Sequence, residues 1–172
     1  MTYMRKSFSQ FIMILIVSNF AVANVTVSVG DVQVDGYTND IVVPITLSNP
    51  ENWVGGLQFD IIAMPTIVTL AGATPVDQSS FSADYTVFND GSGRVVFYNS
   101  VGGAIAPGDN NVVLNLHYDG SEILSAIVQL EAYDLSVSDG GGDLINSVLI
   151  NGSITIGDET YLSATSDTGD VS

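Results

Sequence analysis

Apolar and polar residues alternate along most of this 172-residue chain with the two-residue period of a strand. Such a strand keeps one face on a core and turns the other to water or a partner. The stretch Asp40 to Pro65, DIVVPITLSNPENWVGGLQFDIIAMP, carries the pattern most clearly. Val42, Pro44, Thr46 and Ser48 alternate with Val43, Ile45 and Leu47. After a polar turn holding Trp53, Gln58, Asp60 and Ile62 alternate with Leu57, Phe59 and Ile61. The same period predicts strands over residues 25–29, 32–34, 67–70, 85–88, 94–99, 112–118 and 126–135. Residues 144–156 read as a closing strand or strands, broken at Asn151-Gly152, and the polar residues 77–84 as a loop. Within 112–118, Val113, Asn115 and His117 fall on one face, and Val112, Leu114, Leu116 and Tyr118 on the other.

Turn chemistry agrees with this division. Asn89-Asp90-Gly91-Ser92-Gly93 lies between two strands and is a hairpin signal, because these residues tolerate positive φ. No segment sustains a 3.6-residue apolar period, and Ile127 and Val128 argue against a helix over 121–130. Eight or nine short strands with frequent turns predict an all-β sandwich. Beyond Gly157 the chain becomes polar and low in complexity, so residues 158–172 read as a linker or disordered tail.

The N-terminus has the layout of a secretory signal peptide. Arg5 and Lys6 precede an apolar run from Phe11 to Val17, and Ala21-Val22-Ala23 fits a small-x-small cleavage site. The run is shorter than the roughly 20 apolar residues that span a bilayer. Cleavage after Ala23 predicts one domain over residues 24–157 and no membrane insertion of the mature chain. Arg94 is then the sole Lys or Arg against 19 acids, a charge of 1 − 19 = −18. Such a surface repels nucleic acid and anionic membrane. It suits hydration in salty water, or a cationic or calcium-rich partner. There is no cysteine, so the core must hold the fold without disulfides, and thiol chemistry is excluded.

The inventory for catalysis is small. His117 is the single histidine, and no partners at triad or metal spacing accompany it. Nucleophile-elbow, zinc-protease and phosphate-loop motifs are missing, so the sequence predicts a non-enzyme. Asp139-Gly-Gly-Gly-Asp143 and Asn89-Asp90-Gly91 offer oxygen ligands for calcium, without the twelve-residue calcium-loop pattern; they read first as turns. No other cofactor is implied. Trp53 reads as a lid over the sandwich edge, with a sugar-stacking platform as the other reading.

The order of the pieces resembles the cohesin domains of cellulosomes and related surface assemblies. An opening strand leads to VPITLSN, a short loop, GLQFD and a proline, and the domain closes on VLINGSITI. The resemblance covers residues 25–158 and implies a nine-stranded jelly-roll sandwich. One flat face would bind a dockerin, a small calcium-loaded helical domain of a partner protein. Carried over by position, the partner-binding residues are Gln58, then Thr86 and Phe88, then Val95, Phe97 and Asn99; Asp60 joins them because, like Gln58, it alternates away from the core and could hydrogen-bond a docked helix. Gly56 and Gln58 stand where type I cohesins place an Asn and an Asp, and Ala63-Met64 stands in place of a Tyr-Asp.

The sequence thus predicts a secreted or cell-surface module for protein–protein recognition. A carbohydrate-binding module of a secreted polysaccharide-degrading system remains an alternative, recognisable by several coplanar exposed aromatics. A structural module of a surface layer or matrix is another, recognisable by self-association through an apolar patch or open sheet edge.

Overall fold

The computed structural model describes residues 25–76 and 80–157. The segments read as signal peptide (1–23) and tail (158–172) lie outside the described residues, as do 77–79 of the expected loop. The described residues form twelve strand segments: β1 (Val25–Val29), β2 (Asp31–Val34), β3 (Ile41–Asn49), β4 (Gly56–Met64), β5 (Thr69–Pro75), β6 (Phe81–Val87), β7 (Gly93–Asn99), β8 (Gly108–Asp119), β9 (Ala126–Ser138), β10 (Leu144–Ile145), β11 (Ser147–Ile150) and β12 (Gly152–Ile156). Two sheets result. One runs β11-β1-β3-β8-β5; the other runs β2-β12-β9-β4-β7-β6, with β10 paired to β9. This is an all-β sandwich of jelly-roll type.

Two runs of chain pass from one sheet to the other, so a single run appears as more than one segment. Residues 25–34 switch at Gly30, and 144–156 switch near Asn146 and again at Asn151. Counting each run once, the twelve segments reduce to nine. The switches lie side by side, since β1 and β11 pair in parallel in one sheet while β2 and β12 pair in parallel in the other. Backbone contact there leaves no room for a side chain. A Cβ on Gly152 would sit 2.4 Å from the Gly30 carbonyl oxygen, and one on Gly30 would sit 2.8 Å from the Pro44 ring.

Alternation places the core between the sheets. Val25, Val27 and Val29 face inward from β1, and Val43, Ile45 and Leu47 from β3. Leu57, Phe59 and Ile61 face them from β4, with Val128 and Leu130 from β9. Phe97 and Phe81 stack with ring centroids 4.7 Å apart and planes 13° from parallel. Such a pair adds about 0.5–1.5 kcal/mol beyond its buried area.

Bulges break the strict period in three pairs of strands. β8 carries an extra residue opposite Ile45/Thr46, so Val113 and Leu114 are both buried while Val112 turns outward. The expected faces of 112–118 are corrected accordingly: Val113 joins the core. In β9 an extra residue stands opposite Phe59, at Asp134, whose φ is 52°, so Ala132 and Leu135 both pack toward the core. β5 bulges between Leu70 and Gly72 and runs to Pro75, beyond the expected 67–70. Strand β6 begins at Phe81, so residues 81–84, expected in a loop, are strand; the stack on Phe97 and pairing with β7 hold them there.

The 89–93 hairpin forms as its residues require. Gly91 takes φ 84°, and Asp90 Oδ1 accepts from the Ser92 backbone N–H at 3.0 Å and its hydroxyl at 2.6 Å. Those bonds hold the Asp90 carboxyl below its ordinary pKa.

Phe97→Ala should cost about 3–5 kcal/mol, the usual range for deleting a buried aromatic. Urea unfolding followed by circular dichroism would measure it.

Candidate binding face

Because Phe59, Phe97 and Phe81 point inward, the alternate residues of β4, β7 and β6 form the outer face of the larger sheet. β7 presents Arg94, Val96 and Tyr98. They stand beside Asp60, Gln58 and Gly56 of β4 on one side and Thr86, Asp84 and Ser82 of β6 on the other. Beyond β4, β9 adds Tyr133 and Ser136. At the centre lies a shallow hollow of about 170 Å³, lined by Gly56, Gln58, Val96, Tyr98, Ser136 and Ser138. Gly56 contributes only backbone to it, and its polar side chains are the Gln58 amide and the hydroxyls of Tyr98, Ser136 and Ser138.

The charged part of the face is closed on itself. Arg94 Nε donates to Asp60 Oδ1 at 2.7 Å and Nη2 to Oδ2 at 2.8 Å, a bidentate fork. The guanidinium also lies 5.8 Å from the Phe88 ring centroid. Asp60 is thereby only 6% exposed, whereas the Arg94 side chain keeps 43% of its surface. The bonds to Asp60 and its charge raise the Arg94 pKa. On the neighbouring strand, Tyr98 Oη donates to Asp84 Oδ2 at 3.1 Å. That carboxylate favours the neutral phenol and raises the Tyr98 pKa.

The sequence-derived contact set divides on this geometry. Gln58 and Thr86 lie outward on the face, and Phe88 is exposed at the turn beside Arg94. Asp60 points outward, yet Arg94 covers it, so it is not a free acceptor for a docked helix. Val95 and Phe97 are 0% exposed and belong to the core. Asn99 is tied to two loops, its Nδ2 donating to Ser80 Oγ before β6 at 2.9 Å and its Oδ1 accepting from Val101 N–H in the loop after β7 at 2.9 Å. The β7 contribution is therefore corrected by one residue, to Arg94, Val96 and Tyr98. Residues 95–98, Val-Val-Phe-Tyr, are apolar in both phases, so alternation alone does not choose between them. Arg94 does: a lone cation cannot face a core without a partner inside it, and Val96 and Tyr98 share its phase.

Three other sites singled out in the sequence are placed as follows. His117 lies on the outer face of the smaller sheet, its Nδ1 2.8 Å from Asp40 Oδ1 and its Nε2 2.8 Å from Thr74 Oγ1. Partners invisible in the sequence thus align as carboxylate, imidazole and hydroxyl, fastening β5 and the start of β3 to β8. Asp40 and Thr74 are exposed. The Asp139 loop is an Asx-type turn, with Oδ1 accepting from Gly141 N–H at 2.8 Å and Asp143 N–H at 2.9 Å. Among the described residues no group of three or more His, Cys, Asp or Glu is placed to hold a metal ion. Trp53 is 58% exposed, which overturns its reading as a lid.

No protein-family model and no curated protein sequence matches the chain. Solved structures do. A non-cellulosomal cohesin from the hyperthermophilic archaeon Archaeoglobus fulgidus matches over 84% of this chain and 99% of its own, at 18% identity and a TM-score of 0.62. The OlpA cohesin of Clostridium thermocellum, solved in a type I cohesin–dockerin complex, matches over 77% and 99% at 19% identity and a TM-score of 0.63. The CaCohA2 cohesin, which is from Clostridium acetobutylicum and was solved with a dockerin, matches over 77% and 99% at 22% identity and a TM-score of 0.62. The described domain has a cohesin-like fold.

Asp84→Asn should return the Tyr98 titration toward the ordinary tyrosine range, because it removes the carboxylate that disfavours the phenolate. Carbon-13 NMR of the ring Cζ against pH measures this directly. For the ion pair, Arg94→Gln should destabilise more than the double variant Arg94→Gln/Asp60→Asn, because it leaves a covered carboxylate without its cation. A double-mutant cycle of urea midpoints checks the order.

Proposed function

We propose that this chain is an exported, non-catalytic recognition module that holds a dockerin-like protein against the outer face of β4, β7 and β6. The observation that carries the reading is the fold's likeness to cohesins solved with dockerins bound. The make-up of the face supports it. The paired sheet presents an apolar centre at Val96 and Tyr98, an amide at Gln58 and a small residue at Gly56, with polar groups around them. That is the division of an interface into a desolvated centre and a polar rim. Residues 24–172 carry 19 acids and one Arg, which favours a partner with a cationic rim and speeds the encounter at low salt. The Gly-x-Gln in place of Asn-x-Asp points to a dockerin outside the type I set.

A hydrolytic role for Asp40, His117 and Thr74 is disfavoured by their setting. Acyl transfer needs a water-excluded site with donors aimed at an oxyanion. This hydroxyl lies exposed on an open sheet face.

Calorimetric titration against a panel of calcium-loaded dockerins tests the proposal. At least one should bind. Val96→Asp and Tyr98→Ala should each weaken that complex at least about tenfold, as loss of a central anchor does. Ser28→Ala, on the outer face of the other sheet, should leave it unchanged. The association rate should fall as salt rises from about 0.05 to about 0.5 M, since screening removes the steering. Absence of binding across the panel, or full affinity in Val96→Asp, would contradict the proposal.

A further inference from the structure

We infer that the loop end beside Trp53 is a binding site for a neutral oligosaccharide, separate in its chemistry from the sheet face. Trp53 stands in the β3–β4 loop and is 58% exposed, although an indole gains most when its surface leaves water. It lines a depression of about 350 Å³ with Glu51, Asn52, Asp139, Asp143 and Leu144. That volume lies in the range of small-molecule sites, roughly 300–1,000 Å³. Leu144 is itself 78% exposed, so the depression offers two apolar surfaces with hydrogen-bonding groups between them.

Both walls are fixed before any ligand arrives. Asn49, fully buried, donates from Nδ2 to the Asn52 carbonyl at 2.7 Å and to the Ala106 carbonyl at 3.1 Å. Val54 and Ile105 exchange backbone hydrogen bonds of 3.0 and 2.7 Å, and Gly55 N–H bonds the Ser138 carbonyl at 2.8 Å. On the facing wall Asp139 N–H bonds the Asp143 carbonyl at 2.9 Å, and the Asx turn described above closes the same loop. An exposed indole on a braced loop is a rigid stacking surface, and ordering it on binding costs little.

The polar groups select the ligand class. Carboxylates accept from hydroxyls, and Glu51, Asp139 and Asp143 all line the depression. The apolar face of a pyranose ring fits an indole, and its hydroxyls point to the ring's edge, free to bond groups lining the same depression. Arg94 is the only Lys or Arg after residue 6, and it is bound to Asp60. Three carboxylates without a cation repel uronic acids and phosphorylated sugars, which leaves neutral sugars. A single cationic side chain would also sit on an indole. It would occupy only part of the hollow, and it would leave Leu144 unused.

Trp53 is the sole tryptophan of the chain, so emission excited selectively at the indole, beyond the absorption of the tyrosines, reports on this site alone. The purified protein is titrated with cellohexaose, xylohexaose and mannohexaose, with polygalacturonate as an anionic probe and a Lys/Arg peptide as a cationic one. At least one neutral hexaose should shift or quench the emission with a saturable curve, and polygalacturonate should not. In affinity electrophoresis on the matching polysaccharide, Trp53→Ala should lose retardation at least about tenfold with an unchanged melting temperature. Trp53→Phe should keep most of it. The inference is overturned if no neutral hexaose perturbs the emission, if only the cationic peptide does, or if Trp53→Ala is retarded like the parent. It does not depend on dockerin binding, and failure there leaves these outcomes unaffected.

Discussion

The stack of Phe97 on Phe81 decides what the larger sheet shows to the outside. With both rings buried between the sheets, β7 has one available phase, and Val95 follows Phe97 inward. Arg94, Val96 and Tyr98 must then face out, because a strand's side chains alternate and a one-residue slip would exchange every one of them. The same constraint reaches β4 through its pairing with β7, which sets Gln58 beside Val96 and Asp60 beside Arg94. The outer face is thus a consequence of the core's aromatic packing, and its polar pairs form where that packing leaves them adjacent.

A chain without cysteine has to close the sandwich by backbone geometry and apolar area. Here the closure runs along one edge, where 25–34 and 144–156 change sheets together and pair in parallel on both sides of the crossing. Gly152 permits the approach, because its Cβ would strike Val29 and Gly30, and Gly30 in turn leaves room for Pro44 of β3. At the far edge Tyr85 of β6 donates its hydroxyl to the Ala71 carbonyl of β5, a tie between the two sheets.

Much of the fold was legible from alternation and turns: the β1 to β4 order, the 89–93 hairpin and the closing run with its break at Asn151-Gly152. Bulges were not, because an inserted residue changes phase without changing composition. Val113 is apolar in either phase, and Asp134 offers no signal that it stands outside the ladder. Strand β6 was half hidden, since Ser82 and Asp84 alternate with small Ala83 and the strand lies at an edge. The outward phase of Gln58 and Thr86 was legible. On β7 it was misread by one residue, because four consecutive apolar residues carry no phase and the information lay in Arg94. Long-range partners were beyond the sequence altogether: Asp40, His117 and Thr74 meet only through strand pairing.

Charge and shape act together on this surface. The one Lys or Arg of residues 24–172 is consumed in the Arg94–Asp60 fork, so the proposed partner would meet an apolar, hydrogen-bonding centre on a strongly acidic chain. The absence of cysteine allows a direct measurement of the face: thiol labelling of single Cys variants at positions 95–98, with and without a bound dockerin. The account predicts that Val96→Cys and Tyr98→Cys label readily in the folded protein and are shielded by the dockerin, while Val95→Cys and Phe97→Cys stay unreactive until unfolding. Labelling at 95 or 97 in the folded state, or free labelling at 96 and 98 in the complex, would contradict it.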